Sequence, residues 1–199
     1  MSLVKKVAPE IKATAVMEDG SINTNFSLKK YLNGKNAILF FYPCNFTFVC
    51  PSEIIAFDRK IVEFKKRNTK IIGVSTDSEY SHIAYRNMSI ENGGIDKIRY
   101  PLISDITKNI SKSYDVLHDN CTALRGSFLI DQNFIIRHAL VNDLPLGRCI
   151  NETLRIIDAL LFYNKYGDVC PANWKPGKKT IKPTVHGIKK YLTDNINEL

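Results

Sequence analysis

Cys50 sits in the stretch FYPCNFTFVCPSEII (41–55), with a proline directly after it, Thr47 three residues before and Glu53 three residues after. A thiol in that setting can be a buried core side chain, half of a structural disulfide, a metal ligand or a nucleophile. Proline suits the first position of a helix and disfavours helical geometry in the residue before it. The spacing therefore predicts a helix that starts at Pro51, with Cys50 at its N-cap or beside it. Glu53 then falls where a capping-box acid bonds back to the cap's backbone N–H. The open N–H groups and the positive end of the helix dipole favour an anion, and for cysteine the anion is the reactive thiolate. Thr47 can bring a hydroxyl to the same pocket. On placement alone, nucleophile and buried thiol stand level.

A second cysteine tilts that balance. Cys170 lies in GDVCP, again before a proline, in a segment where no core needs a small apolar side chain. A thiolate oxidised to sulfenic acid needs a resolving thiol to stop it climbing to sulfinic acid. Cys170 can serve, within one chain or across a dimer. The five cysteines, at 44, 50, 121, 149 and 170, are an odd set at irregular spacing, a poor disulfide framework. In a thiol-reducing compartment a purposeful cysteine is catalytic or metal-binding, and no C-x2-C or H-x3-H spacing supports a metal. The histidines, at 82, 118, 138 and 186, show no ligand or catalytic spacing either.

The elements that must hold these residues are legible as apolar runs. AILFFY (37–42), IIGVS (71–75), SFLID (127–131) and FIIRHALV (134–141) read as strands, the last two joined by an Asp-Gln-Asn turn. SEIIAFDRKIVEFKKR reads as one helix whose buried face holds Ile54, Ile55, Phe57, Ile61, Val62 and Phe64. A second helix spans about Ser78–Met88, and a third runs over NETLRIIDALLFYNKY with Leu154, Ile157, Leu160 and Leu161 inward. Strands alternating with helices predict an α/β architecture with a central sheet. The expected organisation is one domain over 1–166 and a C-terminal arm over 167–199, rich in Pro, Gly and Lys. Of the 199 residues 44% are hydrophobic, and no apolar run reaches the roughly 20 residues of a membrane span. The net charge of +8 comes from scattered lysines, so a solvated basic surface is expected rather than a nucleic-acid site.

With both cysteine segments in hand, FYPCNFTFVCPSEI resembles the active-site signature of the typical two-cysteine peroxiredoxins, with Pro43, Thr47 and Cys50 meeting its Pro-x-x-x-Thr-x-x-Cys pattern. GDVCPANWKPG resembles the family's resolving segment, and LRGSFLID and NDLPLGR match further blocks in order, so the likeness runs from about residue 8 to 191. It implies a thioredoxin-like fold with a central mixed sheet flanked by helices, and a thiol-dependent peroxidase without metal or organic cofactor. Cys50 would attack the O–O bond, Thr47 and Arg125 would hold thiolate and peroxide, and Pro43 would keep water out. Glu53 and Arg148 would form a supporting charge network. Cys170 of a second subunit would condense with Cys50, and thioredoxin or a similar dithiol would reduce the product. A homodimer, with closure to a decamer ring, is the implied assembly; the cytoplasm is the expected compartment and the mitochondrial matrix the alternative.

Some residues depart from the family pattern. The loop GGID (93–96) carries Asp96 where sensitive members have glycine, and Tyr191 is followed by Leu192 and then TDNINEL. Both changes are expected to loosen the cover over the Cys50 helix and to reduce overoxidation. Tyr85 stands where many relatives carry tryptophan, a packing change. Cys44, Cys121 and Cys149 are expected to be structural or incidental, with Cys44 the nearest to an exception. The reading from a different class is an oligomeric holdase chaperone or a peroxide relay, which the complete pair of cysteine motifs disfavours.

Overall fold

The computed structural model describes residues 2–196 and divides into two compact units, residues 1–150 and 151–199. In the first, β1 (Lys12–Val16) and β2 (Ile22–Ser27) form an antiparallel pair, then α1 (Leu28–Leu32) leads to β3 (Asn36–Phe41). α2 (Cys50–Arg59), α3 (Ile61–Lys66), β4 (Thr69–Ser75), α4 (Glu79–Asn87) and β5 (Leu102–Ser104) follow. After α5 (Asn109–Ser113) come a small hairpin, β6 (Leu117–His118) with β7 (Thr122–Ala123), and the long antiparallel pair β8 (Arg125–Ile130) and β9 (Ile136–Asn142). Seven strands make one mixed sheet in the order β2-β1-β5-β4-β3-β8-β9, parallel at β3–β4 and β4–β5 and antiparallel elsewhere. The α/β fold with a central mixed sheet and flanking helices is the one expected.

β3 is buried along its whole length, which is why it reads as an unbroken apolar run instead of an alternating one. Its side chains still alternate between faces. Phe40 stacks on Phe57 of α2 at 4.4 Å and meets Tyr100 edge-on at 5.8 Å. Phe41 turns the other way, onto Tyr114 at 5.2 Å and Phe128 at 5.8 Å, in the cluster that includes Leu39, Ile72, Val74 and Ile103. Gly73 on β4 is required by this crowding, since a Cβ there would lie 2.7 Å from Leu102 and 3.1 Å from Phe40.

The single helix expected over 52–67 is two. The chain breaks at Lys60 (φ −98°, ψ 8°), whose N–H bonds to Asp58 and Phe57 carbonyls in a tight turn. The apolar stripe survives the break because Ile54, Phe57, Ile61 and Phe64 are all buried, while Val62 is 54% exposed, against expectation.

The second unit holds most of α6 (Ile150–Tyr166) and then α7 (Val185–Asn195), which is capped by the Thr184 hydroxyl on Gly187 N–H. α7 was not expected in a segment so poor in apolar periodicity. Within this unit Trp174 is buried, its ring 5.2 Å from Phe162 and its indole N–H donating to the Lys178 carbonyl at 3.1 Å. Residues 197–199, the end of the TDNINEL extension, lie outside the described residues. Among the described residues no helix is long and apolar enough to cross a membrane.

Candidate active site

Cys50 is the first residue of α2, with Val49 in the cap position and Pro51 second, so it sits one residue further in than an N-cap. It is fully buried. Two donors face its sulfur: the Thr47 hydroxyl at 2.9 Å and Nη1 of Arg125 at 3.5 Å. Thr47 Oγ1 also lies 2.9 Å from the Cys44 carbonyl. A hydroxyl has one proton to give. With a thiolate at Cys50 it points to sulfur; with a thiol it points to the Cys44 carbonyl and accepts from S–H. The same contact therefore serves both states of Cys50.

Glu53 does not make the expected capping box. Its carboxylate, buried on the inner side of α2, is held by two arginines, and their charged hydrogen bonds outcompete one neutral cap N–H. Arg125, at the start of β8, donates Nη1 to Oε2 at 2.8 Å and Nε to the Leu144 carbonyl at 2.6 Å. Arg148 gives Glu53 its backbone N–H, Nε and Nη2, each at 2.8 Å. Its Nη1 goes to the carbonyls of Phe41 (2.8 Å) and Gly126 (2.6 Å). The two arginines and the one carboxylate leave a buried net positive charge beside Cys50 Sγ, which an anion at that sulfur balances.

Cys50, Thr47, Glu53, Arg125 and Arg148 are thus brought together, and Pro43 is buried where the chain leaves β3 for the Cys50 loop. Cys170 belongs to the second unit, half-buried with Sγ 3.8 Å from the Ala159 carbonyl. Burial raises its thiol above the ordinary range, with Arg155 pulling the other way. Cys44 is half-buried and raised too, by burial first and then by Asp77 and Cys50, while Cys121 and Cys149 are exposed. Asp96 adopts φ +54°, the left-handed backbone a glycine would take, so the GGID loop accommodates it by its backbone, and its carboxylate caps Lys97 N–H at 2.7 Å.

The anchor of the Cys50 loop was missed in the sequence. Asn45 donates its backbone N–H to Asp77 (2.9 Å) and its amide to Ser81 (2.9 Å) and His82 Nδ1 (3.1 Å), and it accepts from the Tyr42 hydroxyl at 3.0 Å. His82 Nε2 faces the Ile103 carbonyl at 3.2 Å, so its proton sits on Nε2 and Nδ1 accepts. Protonating Nδ1 would set N–H against the Asn45 amide. Burial accordingly pushes His82 from 6.5 to about 4, with Asp77 and Glu79 opposing and Arg86 assisting. A histidine depressed on folding stabilises above its unfolded pKa and loses that contribution as pH falls toward the folded one. The shift from 6.5 to about 4 predicts a loss of about 2 kcal/mol between pH 7 and pH 5. Urea midpoints at the two pH values should show it, and a His82→Gln variant should show a correspondingly flatter profile. An equal slope in both proteins would remove His82 as the cause.

Comparison with known proteins identifies the family. Residues 4–139 match the AhpC/TSA family, and residues 159–194 match the C-terminal domain of 1-Cys peroxiredoxin. The chain is 54% identical over 193 residues to alkyl hydroperoxide reductase C of Buchnera aphidicola subsp. Schizaphis graminum, covering 96% of this chain and 98% of that one. It is 48% identical to the mitochondrial thioredoxin-dependent peroxide reductase of Drosophila melanogaster, covering 96% of this chain and 81% of the relative. The crystal structure of reduced Plasmodium vivax 2-Cys peroxiredoxin superposes with a TM-score of 0.94 at 48% identity, over 97% of this chain and 100% of that one. By its fold and these matches, the chain belongs to the AhpC/TSA family and is a peroxiredoxin.

Proposed function

We propose that the chain reduces hydrogen peroxide and alkyl hydroperoxides through Cys50, with Cys170 of a second subunit as the resolving thiol. The observation that carries this reading is the convergence of the Thr47 hydroxyl and the Arg125 guanidinium on the Cys50 sulfur. The Cys50 thiolate attacks one peroxide oxygen. The O–O bond breaks, the sulfur becomes a sulfenic acid, and the leaving oxygen departs as alkoxide or hydroxide and takes a proton. Arg125 and Thr47 stabilise the charge that moves from sulfur to oxygen, in a pocket closed to water by Pro43. Glu53 and Arg148 hold Arg125 in place. Cys170 as thiolate then attacks the sulfenic sulfur, forming a disulfide and expelling hydroxide, which takes a proton and leaves as water, and a dithiol protein such as thioredoxin reduces the disulfide by exchange.

The second step needs Cys50 to leave its buried place. The first turn of α2 is lightly tied: Pro51 has no N–H, and no side chain caps the helix. Glu53, pinned by both arginines, marks where unwinding stops. On this reading the assembly is a homodimer, with a decamer ring as its closed form, and the compartment is a thiol-reducing one, the cytoplasm first.

The test is a non-reducing gel of reduced protein after one equivalent of hydrogen peroxide, beside Cys50→Ser and Cys170→Ser. A dithiothreitol-reversible dimer band is expected for the unaltered chain and for neither variant. A band that persists in either variant assigns the attack or the resolution to another thiol, Cys44 first.

A further inference from the structure

A cavity of about 460 Å³ lies in the first unit, away from Cys50. It opens where β3 and β4 begin, at Lys35 and Thr69, whereas Cys50 follows the far end of β3. Six strand residues separate the two ends, roughly 17 Å. None of the residues that surround the Cys50 sulfur lines it. The cavity is large enough for a small organic ligand, and its walls serve no step of the peroxide reaction.

Its charge is one-sided. Lys35 comes from the turn between α1 and β3, Lys65 from the last turn of α3, and Lys70 from the second position of β4. Arg99 adds a fourth cation, but its guanidinium is already held by Asp58 at 2.9 Å. The one acid in the wall, Glu18, accepts the Tyr31 hydroxyl. Among the described residues neither Lys35 nor Lys65 meets a carboxylate. Lys70 is half-buried, with Nζ 2.5 Å from the Tyr31 carbonyl and 3.8 Å above the Tyr31 ring. Burial and the neighbouring Lys35 hold its ammonium below the ordinary lysine range, with Glu18 pulling the other way. Three ammonium groups converge from separate elements around one carboxylate, Glu18, which already accepts the Tyr31 hydroxyl, so the wall keeps a net positive charge that a bound anion offsets. Between them, the half-buried Tyr31 ring and the aliphatic stems of the lysines supply apolar wall, with Ile61, Ile71 and Tyr100 packed beneath.

From this juxtaposition we infer that the cavity is a binding site for a small organic phosphate of the nucleoside diphosphate kind. Its phosphates would lie on Lys35, Lys65 and Lys70, and its body against the Tyr31 ring and the lysine stems. Several ammonium groups set apart from one another suit the spread charge of a diphosphate, to which lysine binds as a point charge. The apolar wall gives the body its contribution, so charge alone does not account for the affinity.

The experiment is isothermal titration calorimetry on the reduced full-length protein with ADP, inorganic pyrophosphate and adenosine, repeated on a Lys35→Glu/Lys65→Glu double variant. Both lysines are exposed, so the variant keeps the fold. ADP is expected to bind once per chain, at least tenfold more tightly than pyrophosphate or adenosine, and to lose at least tenfold in the double variant. Three results would each overturn the inference: no saturable heat with millimolar ADP, equal affinity for ADP in the variant, or pyrophosphate binding as tightly as ADP. Because the readout is binding and not turnover, it stands or falls apart from the peroxidase assignment.

Discussion

A Cys50→Ser protein is expected to consume hydrogen peroxide no faster than buffer, whether the reductant is a thioredoxin system or dithiothreitol. Cys170→Ser is expected to fail with thioredoxin yet keep turning over with dithiothreitol. The asymmetry follows from chemistry. Serine at position 50 has nearly the same shape, so the buried site between Thr47 and Arg125 stays formed. Its hydroxyl stays protonated at neutral pH and is a poor nucleophile toward an O–O bond, so the first electron transfer has no donor. Loss of Cys170 spares that step, and a small dithiol can enter and reduce the sulfenic acid directly. Peroxide consumption by each purified variant, with intact mass to record oxidation at position 50, checks both halves. Turnover by Cys50→Ser above background would move the attack to another sulfur. Cys44 is the first candidate, since it lies near enough to Cys50 for charge there to raise its thiol.

What the sequence could show of this site depended on separation along the chain. Thr47, Cys50 and Glu53 lie within seven residues, and the proline that starts the helix locates all three. Arg125 and Arg148 reach Glu53 across 72 and 95 positions, and only the family likeness pointed to them. The local rule even misled at Glu53, where a capping box fits the spacing but two buried guanidiniums take the carboxylate. Asn45, Asp77 and His82 were not found at all. They are polar residues from a loop, a strand end and a helix, and only the folding of β4 and α4 against the Cys50 loop joins them. Among the elements, buried strands such as β3 announced themselves by apolar runs, as did α6 by its helical period. β2 is an edge strand with mostly solvent-facing residues and β5 has three residues, so neither leaves a periodic trace. The break at Lys60 was invisible because Ile54, Phe57, Ile61 and Phe64 keep helical spacing across it.

Glu53 carries the other large effect, on stability and rate together. Truncation to alanine removes the acceptor of four hydrogen bonds and leaves Arg125 and Arg148 as two buried charges without their counter-ion. Breaking a buried ion pair from one side costs about 3–5 kcal/mol, because the partner's desolvation is no longer offset. Glu53→Ala should therefore lower the unfolding free energy measured in urea by that amount, whereas Glu53→Gln, which keeps shape and one acceptor, should lose less. Rate should fall as well, since Arg125 would be free to leave the position it holds 3.5 Å from the Cys50 sulfur. A donor lost from the reacting centre costs about 10²–10³ in turnover, and Glu53→Gln is expected to approach that loss while still folded at 25 °C. Stopped-flow oxidation by hydrogen peroxide, followed in the folded Glu53→Gln protein, separates the two effects. If its oxidation rate stays within about threefold of the unaltered chain, Glu53 acts on stability alone and Arg125 is positioned by its Leu144 contact. If the rate falls as expected, the acid buried beneath the thiol sets the geometry of the arginine above it.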